Sequence, residues 1–270
     1  MYRAAAPVLS ATPPPGLQPF PLRLATAIRR EFGPGDREID VPELHHYFAD
    51  LSRGHEIGFR PSRVTRARGN TFLAMARDLL AGQLSSEPID LAIVAHAAPE
   101  FDPRLSAPVN LTAVLPGGPL VFAVSGQGGL APFSALRIAA SYVQRHGYRR
   151  VLVLIMDQGV TPYDTPERIG DAATALLFEP GGDRAIRVGV LPGVAPAAVA
   201  GFRQPGTAAI VGRELDRTGA WPGAGVAPPE YPCTGLWAPL AGGPADGPLL
   251  LADYDPHHRA LGVCVVAEPA

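Results

Sequence analysis

The sequence predicts an α/β protein built around a buried, largely parallel sheet, and three observations predict it. First, Ile89–Ala97 (IDLAIVAHA), Leu120–Val124 and Val151–Met156 are nearly continuous apolar runs. Strands covered on both faces have that pattern. Second, these runs alternate with stretches whose apolar residues recur every three or four positions, the period of helices packed on such a sheet. Third, Leu120–Val124 runs into Ser125-Gly126-Gln127-Gly128-Gly129 and then into a helical stretch. An apolar run, a glycine-rich break and a helix make a strand-to-helix elbow. In α/β sheets such elbows sit at the carboxyl edge, where ligands bind.

Composition bounds the classes of function. The 270 residues are 47% hydrophobic and 18% charged, which suits one large domain or two intimately packed halves. A net charge of -2 offers no basic field for nucleic acid. All 23 basic residues are arginine, so Schiff-base and P-loop lysine chemistry are excluded. Cys233 and Cys264 are too few for a disulfide framework or a zinc cluster, and a reduced cytoplasm is the expected location. No apolar run approaches the ~20 residues that span a bilayer, so no membrane is expected as a partner. The opening MYRAAAPVLSATPPPG is cut by prolines and is not read as a signal peptide.

The elements follow in order. Tyr2–Leu9 reads as a strand and Thr12–Gly16 as a proline-rich loop. Leu22–Phe32 spaces Leu24, Ala27 and Ile28 as a helix face does, and Gly33-Pro34-Gly35 stops it. His45 and His46 fall in a short helix, where neighbours point apart and make a poor metal pair. Arg60, Arg63, Arg66 and Arg68 read as a solvated loop, with a phosphate- or carrier-contacting patch as the alternative. Asn70–Gly82 is a helix: Asn70 caps it, Phe72, Leu73, Ala76, Leu79 and Leu80 form its buried stripe, and Gly82 ends it. The helix after the elbow spans about Pro132 to His146, with Pro132 in its first turn. Ala172–Phe178 and Ile186–Leu191 read as two strands joined by the turn Pro180-Gly181-Gly182. Ala208–Val211 is a further strand, and Gly219–Pro248 is rich in glycine and proline. Leu249–Tyr254 and Leu261–Ala267 close the chain as a strand pair around Asp255-Pro256.

Two elbow chemistries can be tested on spacing alone. Gly126-x-Gly128-x-x-Ala131 follows a strand and opens a helix, as the dinucleotide fingerprint does, and Asp157 ends the next strand where a ribose hydroxyl would bind. Two features oppose that nucleotide site. Ile89–Ala97 already precedes the elbow, whereas the fingerprint sits in the first unit. Asp157 also lies beyond the usual ~20 residues. The α/β-hydrolase elbow G-x-S-x-G fails, because Ala123 and Gln127 flank Ser125 two positions away on either side.

The order IDLAIVAHAAPE (Ile89–Glu100), VFAVSGQGGL (Val121–Leu130), a long helix, RRVLVLIMDQ (Arg149–Gln158) and GDAATALLFE (Gly170–Glu179) resembles the amino-terminal half of a thiolase-fold condensing enzyme, nearest to ketoacyl-ACP synthase III. Gly170-Asp171 and the alanines after them are the most specific match, to the family's "GDGAGAVVL" segment. The resemblance implies a layered α/β/α fold in two repeats, the first complete within residues 1–180 and the second abbreviated within 181–270. It implies acyl-CoA or phosphopantetheine thioesters as substrates, with no further cofactor and no metal. It also implies a homo- or heterodimer with a ketosynthase-like chain, and acyl carrier protein as a partner. The family nucleophile is a cysteine at the head of the buried helix, where the helix dipole favours thiolate and oxyanion. Here that slot falls on Gly128 or Gln127, with Gly126 and Gly129 as the surrounding backbone turn. The family's later histidine and asparagine motifs are missing, and Tyr231-Pro232-Cys233-Thr234-Gly235 stands where an "NxGNT" segment is expected.

Two readings follow from the missing thiol. One is a non-condensing, chain-length-factor-like partner of an active ketosynthase in polyketide or fatty-acyl biosynthesis. Some such partners carry glutamine in the nucleophile slot. The other is an acyltransferase with Ser125 as nucleophile and His96 as base. Against it, Ser125 precedes the slot by two or three residues. A plainer account makes Ser125 a turn residue and His96 a hydrogen-bonded core histidine. His257 and His258 are expected at the surface, clustered Asp157, Asp164 and Asp171 lack metal spacing, and Trp221 and Trp237 suit a pocket or an interface.

Overall fold

The computed structural model describes residues 16–38, 42–54, 58–64, 67–100, 102–164, 168–203, 206–243 and 247–267. The strand expected at Tyr2–Leu9, most of the Thr12–Gly16 loop and Arg66 lie outside these residues.

The first part of the chain runs β1 (Gln18–Pro19), β2 (Arg23–Phe32), β3 (Arg37–Glu38), α1 (Pro42–Gly54), α2 (Pro61–Val64), β4 (Arg68–Gly69) and α3 (Phe72–Leu80). It continues through β5 (Leu91–His96), α4 (Ala107–Val114), β6 (Leu120–Val124), α5 (Ala131–His146), β7 (Val151–Asp157) and β8 (Asp171–Glu179). Then come β9 (Ile186–Leu191), β10 (Ala208–Val211), α6 (Arg213–Arg217), β11 (Gly225–Val226), α7 (Ala238–Ala241), β12 (Leu249–Asp255) and β13 (Ala260–Val266).

One five-stranded sheet has the order β2-β8-β7-β5-β6. In it β5 runs parallel to β6 and β7, while β8 runs antiparallel to β7 and β2. The other sheet has the order β9-β13-β12-β10-β11, with β1 added outside β9. There β10 is parallel to β11 and β12, and β13 is antiparallel to β12 and β9. Strand for strand, the second sheet repeats the topology of the first. The periodic sequence signal does not show this, because the repeat lies in strand order and not in residues.

Three apolar clusters make the layers. α3 and α4 cover the outer face of the first sheet, through Phe72, Met75, Leu79 and Leu111 against Val94, Leu152 and Leu154. α5 lies between the sheets, with Phe133, Leu136, Ala139 and Val143 buried among Ile93, Val153, Leu251 and Cys264. Leu215 of α6 packs on the outer face of the second sheet with Val211, Leu250 and Val263. Each large apolar side chain fully buried this way contributes roughly 1.5–3 kcal/mol. The approach of α5 is close: a Cβ at Gly262 on β13 would meet the Phe133 ring at 2.6 Å. The repeats differ most in this middle layer. α5 follows β6 with 16 residues, whereas α7, its counterpart after β11, has 4.

Three expectations need correction. Leu22–Phe32 is a strand, not a helix: β2 pairs along its length with β8. A register shift between Leu24 and Thr26 places Leu24 and Ala27 on the same inner face. The bulge therefore imitates the three-residue spacing of a helix. The cap of α3 is Thr71, whose Oγ1 accepts from the Ala74 N–H at 3.1 Å, while Asn70 turns away to Asp171. Pro180-Gly181-Gly182 does not join two paired strands, since β8 and β9 belong to different sheets. α4 was not foreseen. It is a short segment preceded by prolines, and its apolar residues are spread around it.

Candidate functional site

β6 delivers the chain to the elbow, and Val124 is its last buried residue. Ser125, Gly126, Gln127 and Gly128 are all exposed. Gly126 (φ 75) and Gly128 (φ 50) adopt left-handed backbone that favours glycine. A turn of 3-10 helix, Gly128–Leu130, leads into α5. Gln127 Oε1 accepts from Ser134 Oγ at 2.5 Å, so the glutamine folds back onto the first turn of α5.

Ser125 follows the end of β6 and His96 is the last residue of neighbouring β5, where Ala95 pairs with Val124. Their side chains are engaged separately. His96 Nδ1–H donates to the Ala98 carbonyl at 2.6 Å, and its ring lies 4.9 Å from that of Phe72, on the α3 side of the sheet. Burial holds the imidazole below its ordinary pKa, against the Ala98 hydrogen bond. Among the described residues no hydrogen bond joins His96 to Ser125.

The second repeat brings Cys233 and Asp253 to the elbow, and Asp157 of the first repeat holds the segment that carries Cys233. Cys233 Sγ stands 3.6 Å from the Gly128 carbonyl, and the residue is 1% exposed. Asp157, at the end of β7, accepts from Cys233 N at 2.9 Å, Thr234 N at 2.7 Å and Thr234 Oγ1 at 2.7 Å. Asp253, on β12, lies against the elbow itself: a Cβ on Gly129 would come within 2.5 Å of its Oδ2. Its Oδ1 accepts from Leu215 N at 3.2 Å and Tyr254 N at 2.8 Å. β7 and β12 are equivalent strands of the two sheets, so the two buried acids occupy related places. Burial raises Asp157 to about 6, moderated by the Thr234 and Cys233 donors, and raises Asp253 to about 7. Burial and the Asp157 charge push the Cys233 thiol well above its usual range. This sulfur is therefore a neutral thiol at physiological pH. Cys264, inside β13, is raised to about 12 by burial.

Gly170-Asp171 is a clamp. Asp171 Oδ1 accepts from Gly159 N at 2.7 Å and its Oδ2 from Asn70 Nδ2 at 2.7 Å. Gly170 N donates to Glu230 O at 2.9 Å, and the Tyr231 ring leaves no room for a Cβ at Gly170. Beside this clamp lies a cleft of about 730 Å³ bordered by Arg63, Arg68, Arg168 and Tyr231. Arg60 and Arg63 also contact Asp164, at 2.7 and 3.3 Å.

Other candidates fall away from the elbow. His257 and His258 are exposed in a turn where Asp255 Oδ2 accepts from His258 Nδ1 at 2.6 Å. Trp221 donates to Val199 O inside the outer cluster of the second sheet, and Trp237 packs 5.2 Å from Phe133. Asp157, considered for a ribose hydroxyl, is occupied by Cys233 and Thr234. Sequence reasoning missed Cys233 and Asp253 as neighbours of the elbow. The available signal was the position of Tyr231–Gly235, which marks the head of the second repeat's helix.

No protein-family model matches the chain, and no curated protein sequence matches it. Solved structures do. ChlB3, an acyltransferase, superposes with TM-score 0.60 at 17% identity over 95% of this chain and 98% of its own. AbyA1, a tetronic acid condensing enzyme, gives 0.60 at 15% identity over 91% and 99%. The 3-oxoacyl-(acyl carrier protein) synthase III of Xanthomonas oryzae gives 0.56 at 13% identity over 93% and 100%. The chain has the layered thiolase-type α/β fold of these solved structures. Among the described residues no helix is long and apolar enough to cross a membrane.

Proposed function

We propose that the protein is a ketosynthase-like component of polyketide or fatty-acyl biosynthesis that holds or shapes acyl-thioester chains without condensing them, as the partner of an active ketosynthase. One observation carries this. The slot that the resemblance gives to the family nucleophile falls on Gln127 or Gly128, and Cys233, whose sulfur lies 3.6 Å from the Gly128 carbonyl, is buried, protonated and flanked by carboxyls. A thiol in that state does not attack a thioester at neutral pH. The partner surface is assigned to the open edge of β6. Its residues LVFAV are apolar yet mostly accessible, and Leu120, Val114 and Val109 beside it are exposed. An unprotected apolar edge of this kind pairs readily with another strand. The arginine cleft fits the phosphate of a phosphopantetheine arm or an acidic carrier protein. A cytoplasmic setting belongs to the same proposal.

The exposure of Ser125 favours a second reading, acyl transfer from CoA or carrier-protein thioesters through its hydroxyl. Intact-protein mass spectrometry after incubation with acyl thioesters separates the two. The partner reading expects no stable adduct and co-purification with a ketosynthase. An adduct that disappears in Ser125→Ala overturns it in favour of the transferase.

A further inference from the structure

Arg29 and Thr174 are cross-strand partners on β2 and β8. Both face the layer between the sheets, as the neighbouring Ala27 and Leu176 do. Facing side chains of such a pair have Cβ atoms roughly 4.5–5.5 Å apart. The Arg29 side chain is 13% exposed, and its Nη1 donates to Glu31 at 2.6 Å. Its Nε and Nη2 are buried with no acceptor among the described residues. These two nitrogens form one edge of the guanidinium, the edge that takes both oxygens of a carboxylate. Thr174 is fully buried, and its Oγ1 also lacks a partner. The nearby carboxylates do not fill the gap: Glu31 takes Nη1, and Asp157 takes the N–H groups of Cys233 and Thr234. Buried donors left unpaired are expensive, so a fork and a hydroxyl left together call for an acceptor.

Tyr231 lies over the Arg29 member of this pair. The Arg29 guanidinium lies 4.8 Å from the centroid of its ring, and the same residue borders the arginine cleft. Rotation of this one side chain, with release of its hydrogen bond to Glu31, would open the arginine cleft onto the unpaired guanidinium edge.

We propose that Arg29 and Thr174, behind Tyr231, form a binding subsite for the carboxylate of a small acid that enters through the arginine cleft. A singly charged planar anion suits one guanidinium edge and one hydroxyl. A phosphate dianion does not, because Glu31 and Asp157 already place negative charge beside a single cation. This subsite depends on neither reading of the elbow.

The test is the Arg29 Nε–H resonance of the full-length protein, titrated with succinate and, at equal ionic strength, with inorganic phosphate and chloride. The peak is identified by its loss in Arg29→Lys. Succinate is expected to shift it saturably, with phosphate at least tenfold weaker and chloride without effect. By calorimetry, Arg29→Lys should weaken succinate binding at least tenfold. Thr174→Val should weaken it about three- to tenfold, the range of one hydrogen bond, without lowering the melting temperature. An Arg29 resonance unmoved by succinate overturns the subsite, as does wild-type affinity in Thr174→Val. Equal responses to succinate and phosphate overturn the carboxylate assignment, and equal responses to chloride reduce the effect to screening.

Discussion

Replacing Asp157 by asparagine tests whether a buried acid at the junction of the repeats is charged against its preference. Asp157 is 2% exposed and its pKa is raised from 3.8 to about 6, chiefly by burial. At about 1.4 kcal/mol per pH unit, its ionised form is about 3 kcal/mol less favourable in the fold than in the unfolded chain. The sign follows. Below pH 3.8 the carboxyl is neutral in both states and no penalty exists. As pH rises through about 6, the folded protein loses that stability. Asparagine keeps an acceptor for the Thr234 and Cys233 donors and does not titrate. Urea unfolding of both proteins, followed by tryptophan fluorescence, is compared at pH 4 and pH 7.5. The difference between the two proteins isolates this one group from every other carboxyl. We expect the asparagine variant to gain about 2–3 kcal/mol on the wild type between those values. Two curves parallel within ~0.5 kcal/mol would refute the argument that burial dominates this site. Asp157→Ala provides the control: leaving three donors without an acceptor should destabilise by about 3 kcal/mol or more at pH 4. Because alanine does not titrate either, that deficit should shrink by the same amount, about 2–3 kcal/mol, at pH 7.5.

Three further outcomes are expected. Gly129→Ala places a Cβ 2.5 Å from Asp253 Oδ2 and should lower stability by about 1–3 kcal/mol, read as a lower melting temperature. Cys233 and Cys264 should resist iodoacetamide in the native protein and react fully in denaturant, because both are buried with raised pKa values; rapid native labelling of Cys233 would contradict the neutral thiol. Asp102, buried between Arg37 and Arg104 at 2.6 and 2.8 Å, should destabilise by about 2 kcal/mol when changed to alanine. That is less than the 3–5 kcal/mol of a fully buried pair, since both arginines remain half exposed to water.

β5, β7 and β8 were legible because each is buried along nearly its whole length and reads as a largely apolar run. β6 was legible from its apolar run although it lies at the sheet edge, and β2, half-buried and bulged, was not. The elbow was legible because glycine breaks such a run sharply. What failed to show was anything set by contacts distant in sequence. The bulge in β2 rearranged apolar spacing, and Thr71 competed with Asn70 for the cap because Asp171, a hundred residues on, claimed the asparagine. Beyond the position of Tyr231–Gly235, nothing in the residues around Cys233 marks its closeness to Gly128, 105 residues away, which arises from packing between the repeats. Asp253 sits in a plain strand, and its place against Gly129 arises from packing between repeats. The Arg29–Thr174 pairing was hidden for the same reason, since β2 read as a helix has no cross-strand neighbours.

β13 lies in the interior of its sheet, bonded to β9 on one side and β12 on the other. Residues 260–266 are the last strand among the described residues, so β9, which has only the two-residue β1 on its other side, waits for its inner partner some seventy residues downstream. β2 waits longer for β8, but that partner arrives before any strand of the second sheet except β1. Assembly is therefore ordered: the sheet carrying the elbow can close during synthesis, while the other closes only when its final strand emerges. Loss of seven residues from that strand would leave two separated pieces of sheet, with α5 packed against one complete surface instead of two.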